Sequence, residues 1–252
     1  MMYLIDKSIE RISRLLRFLL SKDFILNHKF QNKNQVTNAN FIINSLKKKN
    51  FVPSYIFDIG CGHGEWTKKL LKFYPNSNFF LFDADNTNLK KLENLKKKYP
   101  NINYKICLLS DNESFYTFYN MGYGSSIFEE QTSHSRKQQK IKSSKLKDEI
   151  PNEFKNYSNN LIKVDVQGAE LKVLEGLDES INNFEVIILE VSIHQYNKDA
   201  PLFDQVLNFM IKKNFKLYDI FDLKRLGNDK SFLLQFDCIF VRNDSKLLKV
   251  NF

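Results

Sequence analysis

The stretch FDIGCGHGEW, Phe57 to Trp66, sets three glycines at alternating positions directly after a short apolar run. Gly60, Gly62 and Gly64 admit positive φ and carry no side chain, so a ligand can lie against the backbone of the turn. The run SYIFDI at 54–59 reads as a buried strand, and the amphipathic stretch at 64–74 as a helix. Strand, glycine turn and helix in that order form the ligand-binding start of a parallel α/β sheet. The spacing excludes two phosphate-binding solutions. A dinucleotide turn needs G-x-G-x-x-G with a small third residue where helix crosses strand, and Glu65 stands there. Its carboxylate would also repel a pyrophosphate seated on the same helix N-terminus. No G-x-x-x-x-G-K-[ST] is present at this turn.

A nucleoside ligand without phosphate satisfies both facts. S-adenosylmethionine is the common one, with S-adenosylhomocysteine as its product. Asp58, at the end of the first strand, is placed for the charged methionine end. Asp83, at the end of the second strand, is expected to take both ribose hydroxyls as a bidentate acceptor. Ser110 and Asp111, after the third strand, are expected at the adenine edge. Each acid has an ordinary alternative as a helix N-cap or a loop carboxylate.

Outward from the turn, apolar runs alternate with amphipathic helices. Strands are expected at NFFLFD (78–83), NYKICLL (103–109), LIKVD (161–165) and FEVIILEV (184–191), and helices at 37–49, 87–98 and from Gly168. Apolar strands alternating with helices mean a parallel sheet covered on both faces. FKLYDIF (215–221) and SFLLQFDCIFVR (231–242), joined around Gly227, read as an antiparallel hairpin at one sheet edge. Tyr119 to Asn160 is polar, contains GYGSS, and reads as an insertion over the catalytic edge. The chain thus divides into a helical extension, 1–49, and one α/β domain, 50–252.

Composition agrees with one substantial core, since 252 residues are 42% hydrophobic. Cys61, Cys107 and Cys238 are odd in number and show no metal-ligand spacing, which fits a reducing cytoplasm. No signal peptide or apolar run of membrane-spanning length is apparent. A basic amphipathic helix is expected over 3–21, with Ile5, Ile9, Ile12, Leu16 and Leu19 on one stripe; packing against a protein surface is its ordinary use, peripheral membrane contact the alternative. The net charge of +9 and the segment RKQQKIKSSKLK (136–147) invite a nucleic-acid reading. Lysine is abundant throughout the chain, however, and interleaved aromatics are missing from that segment, so nucleic acid is not the expected partner.

LIKVDVQGAELKVLEGL at 161–177 resembles the signature segment of the FkbM family of S-adenosylmethionine-dependent methyltransferases. The resemblance runs from FDIGCGHGEW through FLFDADNTNLKKLENL, LLSDNESF, GYGSS and LKDEI to ILEVSIHQYN, over roughly residues 50–242. Asp83 stands where the family more often has glutamate, Gln167 replaces a glutamate, and Lys147 falls where aspartate is usual, leaving Asp148 as the nearest acid. The resemblance implies a class I methyltransferase fold, a Rossmann-like seven-stranded sheet whose last strand is antiparallel, with O-methylation of a hydroxyl as the usual reaction. Sugars of surface polysaccharides and natural products are the acceptors it suggests, whether as free sugar, nucleotide sugar or lipid-linked glycan.

A sugar hydroxyl is a poor nucleophile near neutral pH and benefits from a base. Asp165 and Glu170 bracket the turn after the fourth strand, where Asp165 also borders the cofactor; Glu190 and His194 follow the fifth. His194 is the expected base, because its intrinsic pKa lies near working pH, with Asp165 or Glu190 orienting it. Glu170 has an ordinary use in the first turn of a helix. A divalent metal held by Asp165, Glu190 and His194 is an alternative that their spacing does not favour. Ser125 and Ser126 of GYGSS are expected to offer hydroxyls to the acceptor, while Trp66 and most of the 23 Phe belong to the core. Two other readings remain: a base-modifying nucleic-acid methyltransferase, disfavoured because the chain has no Pro-Pro pair, and a non-catalytic interaction module of the same fold.

Overall fold

The computed structural model describes residues 38–249; the helix expected over 3–21 lies outside them. The strands in chain order are β1 (Tyr55–Ile59), β2 (Asn78–Asp83), β3 (Ile102–Ile106), β4 (Leu108–Leu109), β5 (Phe115–Asn120), β6 (Lys137–Ser144), β7 (Asn160–Val164), β8 (Phe184–Ser192), β9 (Phe215–Leu226) and β10 (Phe232–Arg242). The helices are α1 (Ala39–Lys48), α2 (Glu65–Leu70), α3 (Leu89–Lys98), α4 (Leu146–Glu149), α5 (Glu170–Glu175) and α6 (Phe203–Lys212).

Seven strands form one sheet in the order β3-β2-β1-β7-β8-β10-β9. β10 alone runs against both neighbours, so the last strand is the antiparallel one, as expected. The alternation of strand residues builds two apolar layers. Phe57, Ile59, Ile162, Val164, Ile187 and Leu189 face Val173 and Leu174 of α5 and Val206 and Met210 of α6. Ile56, Leu161, Val186 and Ile188 face Ile42 and Leu46 of α1, Leu70 of α2, and Leu92 and Leu95 of α3. Phe57, Phe154 and Phe184 meet ring to ring at 4.9–5.4 Å. These three phenylalanines are core.

Four elements differ from expectation. The run 103–109 is not one strand: β3 ends at Ile106, and Leu108–Leu109 leaves the sheet to pair with β6. The polar insertion is a second sheet in the order β4-β6-β5, in which β5 and β6 pair antiparallel from Phe115↔Lys142 to Asn120↔Lys137. β5 and β6 are only partly buried and mix exposed with half-buried positions, so they lack the apolar alternation by which strands are read. The helix expected from Gly168 begins only at Glu170, because Gln167 and Gly168 both hold positive φ, 55° and 102°. α6, FDQVLNFMIK, was not expected; it covers the sheet through Val206 and Met210. This topology places the carboxyl ends of β1, β2 and β7 together, with the second sheet beside them.

Candidate active site

The glycine turn is locked from both sides. Gly60 and Cys61 donate their backbone N–H groups to the Phe82 carbonyl of β2 at 2.8 and 3.1 Å, and Asp165 donates its N–H to the Ile59 carbonyl at 3.0 Å. A Cβ at Gly60, where φ is +74°, would sit 1.9 Å from the Asp165 carbonyl oxygen. At Gly62 the only near atom would be Tyr123 Cε1, at 3.8 Å, because this glycine faces a cavity.

That cavity, about 290 Å3, lies over the carboxyl ends of β1, β2 and β7. Its walls divide by chemistry. Phe82, Cys107, Leu108 and Leu109 form an apolar slot beside Asp83, while Asp165, Gln167 and Lys224 form a polar end. Asp83 closes the turn: Oδ2 accepts from Gly62 N–H at 2.7 Å, and Oδ1 from Asp85 N–H at 2.8 Å and Asn88 Nδ2 at 3.1 Å. A carboxylate offers about four lone-pair sites, and three are occupied. Asp83 therefore keeps one acceptor site, on Oδ2, where the sequence led to two.

Several expected site residues lie elsewhere. Asp58 is 1% exposed, is not part of the cavity wall, and accepts from Thr67 Oγ1 at 2.6 Å, tying α2 to β1. Gly64 caps α2 in a left-handed conformation with its Cα against Leu95, behind the turn. Ser110 is fully buried and donates to Asp111, which is held by Tyr116 and Lys172 outside the cavity. Neither of the residues expected at the adenine edge lines the cavity. Ser125 and Ser126 do line the cavity, but their hydroxyl protons go to the carbonyls of Gly122 and Gln167, so neither is a free donor.

The expected base is corrected most sharply. His194 is exposed outside the cavity and stacks on Phe232 with ring centroids 4.3 Å apart. The chain turns outward after Ser192, where Ile193 N–H bonds the Leu234 carbonyl, and carries the ring away from Asp165 and Glu190. Glu170 is buried behind the turn, where Oε1 accepts the N–H groups of Val166 and Gly168 at 3.0 and 3.1 Å. Of the four, Asp165 alone borders the cavity. Glu190 lies behind it, bonded to Gln167, Gln235 and Lys224. With His194 apart and both carboxylates bound internally, the three do not assemble a metal site, and no other cluster of metal-ligating side chains exists among the described residues.

Two residues that sequence reasoning passed over complete the wall. His63 lies between Gly62 and Gly64, with Nδ1 3.2 Å from Tyr123 Oη and Nε2 2.6 Å from Lys91 Nζ. Tyr123, 79% exposed, leans over Gly62 from the second sheet.

Beneath the polar end, strand alternation continues from the apolar layer into charge. Asp58, Lys163, Asp165, Glu190 and Asp237 occupy the same sheet face as Ile56, Leu161, Ile188 and Ile239. Burial would raise the Asp165 carboxyl, but Lys163 Nζ at 2.6 Å holds it below the usual range. Burial pushes Asp58 up to about 6, Asp237 to about 7 and Glu170 to about 8. These three raised groups keep protons in the folded state that the unfolded chain releases at lower pH. Their contribution is thus fully present below the unfolded values and lost as pH rises through the folded ones. Asp165 opposes them only at acid pH. Thermal unfolding is expected to show a melting temperature that falls steadily from about pH 5 to about pH 8; a rise over that window would contradict the burial of these carboxyls.

The six basic residues of 136–147 are largely engaged. Arg136 donates to the carbonyls of Glu130, Thr132 and His134, Lys142 pairs with Glu113, and Lys145 and Lys147 share Asp178. Among the described residues no helix is long and apolar enough to cross a membrane.

A methyltransferase FkbM domain model matches residues 53–217. Among solved structures, a methyltransferase FkbM from Methylobacillus flagellatus is 16% identical, covering 75% of this chain and 43% of that one, with a TM-score of 0.47. The chain thus spans less than half the length of that protein. An S-adenosylmethionine-dependent methyltransferase from Clostridium acetobutylicum is 11% identical over 95% of this chain and 99% of that one, TM-score 0.46. An rRNA methylase from Streptococcus thermophilus is 11% identical over 79% and 93%, TM-score 0.45. None of these likenesses bears on what is methylated, and no curated protein sequence matches the chain. The glycine turn, the seven-stranded sheet with its reversed last strand, and the family match over 53–217 lead to one assignment: the chain belongs to the FkbM methyltransferase domain family.

Proposed function

We propose that this chain transfers a methyl group from S-adenosylmethionine to a hydroxyl of a sugar, in a glycan or its precursor. The observation that carries the reading is the cavity itself, which joins an apolar slot, a one-site carboxylate and a polar end in one space. Its donor set fits an adenosyl ligand: Cys107, Leu108 and Leu109 for the flat base, Asp83 for a ribose hydroxyl, and the open backbone at Gly60 and Gly62 for the amino-acid end. When bound, S-adenosylmethionine supplies an electrophilic methyl group.

The chain's own residues supply the rest. Phe118 and Ile127 line the cavity with apolar side chains, and Tyr123 leans over its mouth. Asp165, kept ionised by Lys163, accepts the hydrogen bond of the acceptor hydroxyl and its proton as the new bond forms. Because Lys163 holds the carboxylate in place beforehand, alignment of the hydroxyl supports the step as well as basicity.

The test is methyl transfer from labelled S-adenosylmethionine to neutral glycosides, nucleotide sugars, lipid-linked glycans and RNA offered in parallel. Label in a glycan, lost about 100-fold in Asp165→Asn and within about twofold of normal in His194→Ala, supports the reading. Label in RNA alone would replace it with the nucleic-acid methyltransferase, for which the engaged insertion offers little support. Absence of cofactor binding would leave the non-catalytic module.

A further inference from the structure

Gln167 occupies a position where the resemblance leads to glutamate, and its surroundings show what an amide does there. Nε2 donates to Asp165 Oδ1 at 2.9 Å and to Glu190 Oε2. Each carboxylate also has its own lysine, Lys163 on Asp165 at 2.6 Å and Lys224 on Glu190. The five side chains alternate cation, anion, amide, anion, cation. An amide nitrogen, with two protons, can sit between two ionised carboxylates; the reversed amide would set Oε1 against both. The orientation leaves Oε1 as the polar atom of the side chain without a partner among the described residues, at a cavity wall shared with Asp165.

The backbone is held as firmly. Gln167 keeps a left-handed φ of 55°, and its carbonyl accepts from Ser126 Oγ at 2.8 Å and Asn197 Nδ2 at 2.6 Å. Lys224 reaches this group because β9 is bulged: Lys224 lies opposite Gln235 and Phe221 opposite Asp237, with Asp222 at φ 48° between them. The bulge brings Lys224 onto the face of Glu190, where plain alternation from Phe221 would turn it away.

We propose that Gln167 is an acceptor-positioning residue whose Oε1, beside the Asp165 carboxylate, receives a second hydroxyl of the same acceptor, so that the site selects vicinal diols. This rests on the methyl-transfer reading and names the class of hydroxyl it takes. Two adjacent acceptor atoms match two adjacent hydroxyl donors, and an acceptor lacking one of them leaves Oε1 buried and unpaired. The charged groups facing Gln167 and its two carboxylates are Lys163 from β7, Glu170 from α5, Lys224 from β9, Asp237 from β10 and, through Lys163, Asp58 from β1. In that setting Gln167→Glu introduces a third carboxyl, which while protonated can still donate to one of the two carboxylates and once ionised is repelled by both.

The experiment measures binding of methyl mannoside, methyl glucoside and their monodeoxy analogues to protein saturated with S-adenosylhomocysteine, by saturation-transfer NMR. At least one parent glycoside should bind, with one of its monodeoxy analogues at least about tenfold weaker. Gln167→Met should weaken the parent about tenfold with affinity for S-adenosylhomocysteine unchanged. Gln167→Glu should bind it near pH 6 and release it near pH 9, unlike the native chain. Three results would each overturn the proposal: no glycoside bound by the S-adenosylhomocysteine complex, Gln167→Met binding as the native chain does, or Gln167→Met losing both ligands together. Failure of the native chain to bind S-adenosylhomocysteine would instead overturn the methyl-transfer reading.

Discussion

Gly60→Ala is expected to lower the unfolding free energy by about 2–5 kcal/mol and to abolish the cavity. The new Cβ would sit 1.9 Å from the Asp165 carbonyl at a φ of +74°. Neither partner can give way, because Gly60 N–H is fixed to Phe82 and Asp165 N–H to Ile59. A left-handed alanine accounts for about 1–2 kcal/mol and the overlap with backbone for about 1–3 more. That is a large share of the roughly 5–15 kcal/mol by which a domain is stable. Gly62→Ala is the control. Its Cβ meets only Tyr123 Cε1 at 3.8 Å, so it should lose about 1–2 kcal/mol from φ, keep the fold and intrude on the ligand. Urea unfolding followed by circular dichroism separates the two; equal midpoints would mean that β1 and β7 are not so closely joined.

The second large effect is expected from Lys163→Met. Lys163 is 5% exposed, 2.6 Å from Asp165, and its ammonium lies 5.8 Å from the Trp66 ring centroid. It is also the cation nearest to Asp58 and Asp237, whose carboxyls burial already pushes up to about 6 and about 7. Without it, the buried carboxylates of Asp58 and Asp237 and the half-buried one of Asp165 lose their counter-charge, and breaking a buried pair costs about 3–5 kcal/mol. The sign of the pH dependence follows. Removing the cation raises all three folded pKa values, those of Asp58 and Asp237 further above their unfolded ones and that of Asp165 from below the usual range, so the loss is largest where the carboxylates must ionise and shrinks where they can protonate. Unfolding in urea near pH 8 and near pH 5.5 should show the larger penalty at the higher pH; a penalty independent of pH would contradict the buried cluster.

The parts of this site that could be read from sequence are those fixed by chain order. A strand, three glycines and a helix locate the turn, and an acid at the end of the next strand locates Asp83, because both follow from where a parallel sheet puts its carboxyl ends. Which face a side chain takes is a separate question. Asp58 and Ile59 are neighbours, yet Ile59 lines the cavity while Asp58 turns to Thr67, and the alternation from Ile56 carried that information. His194 was favoured for its intrinsic pKa, but its position depends on the outward bend after Ser192, which depends in turn on pairing with Leu234. His63 left a signal in plain view, since a side chain between two glycines of a ligand turn projects beside the ligand. Gln167 was read as a charge removed; only Asp165 and Glu190 on either side of it reveal a donor. The second sheet was hidden because KQQKIKSS is polar, half of it exposed, and follows no apolar period.

Calorimetric titration of S-adenosylhomocysteine into the native chain and into Asp83→Ala tests the cofactor site most directly. One site per chain is predicted, weakened about 10- to 100-fold in the variant, because a charge-assisted hydrogen bond to ribose and the support of Gly62 N–H are lost together. No binding to the native chain, or equal affinity in both, would contradict it.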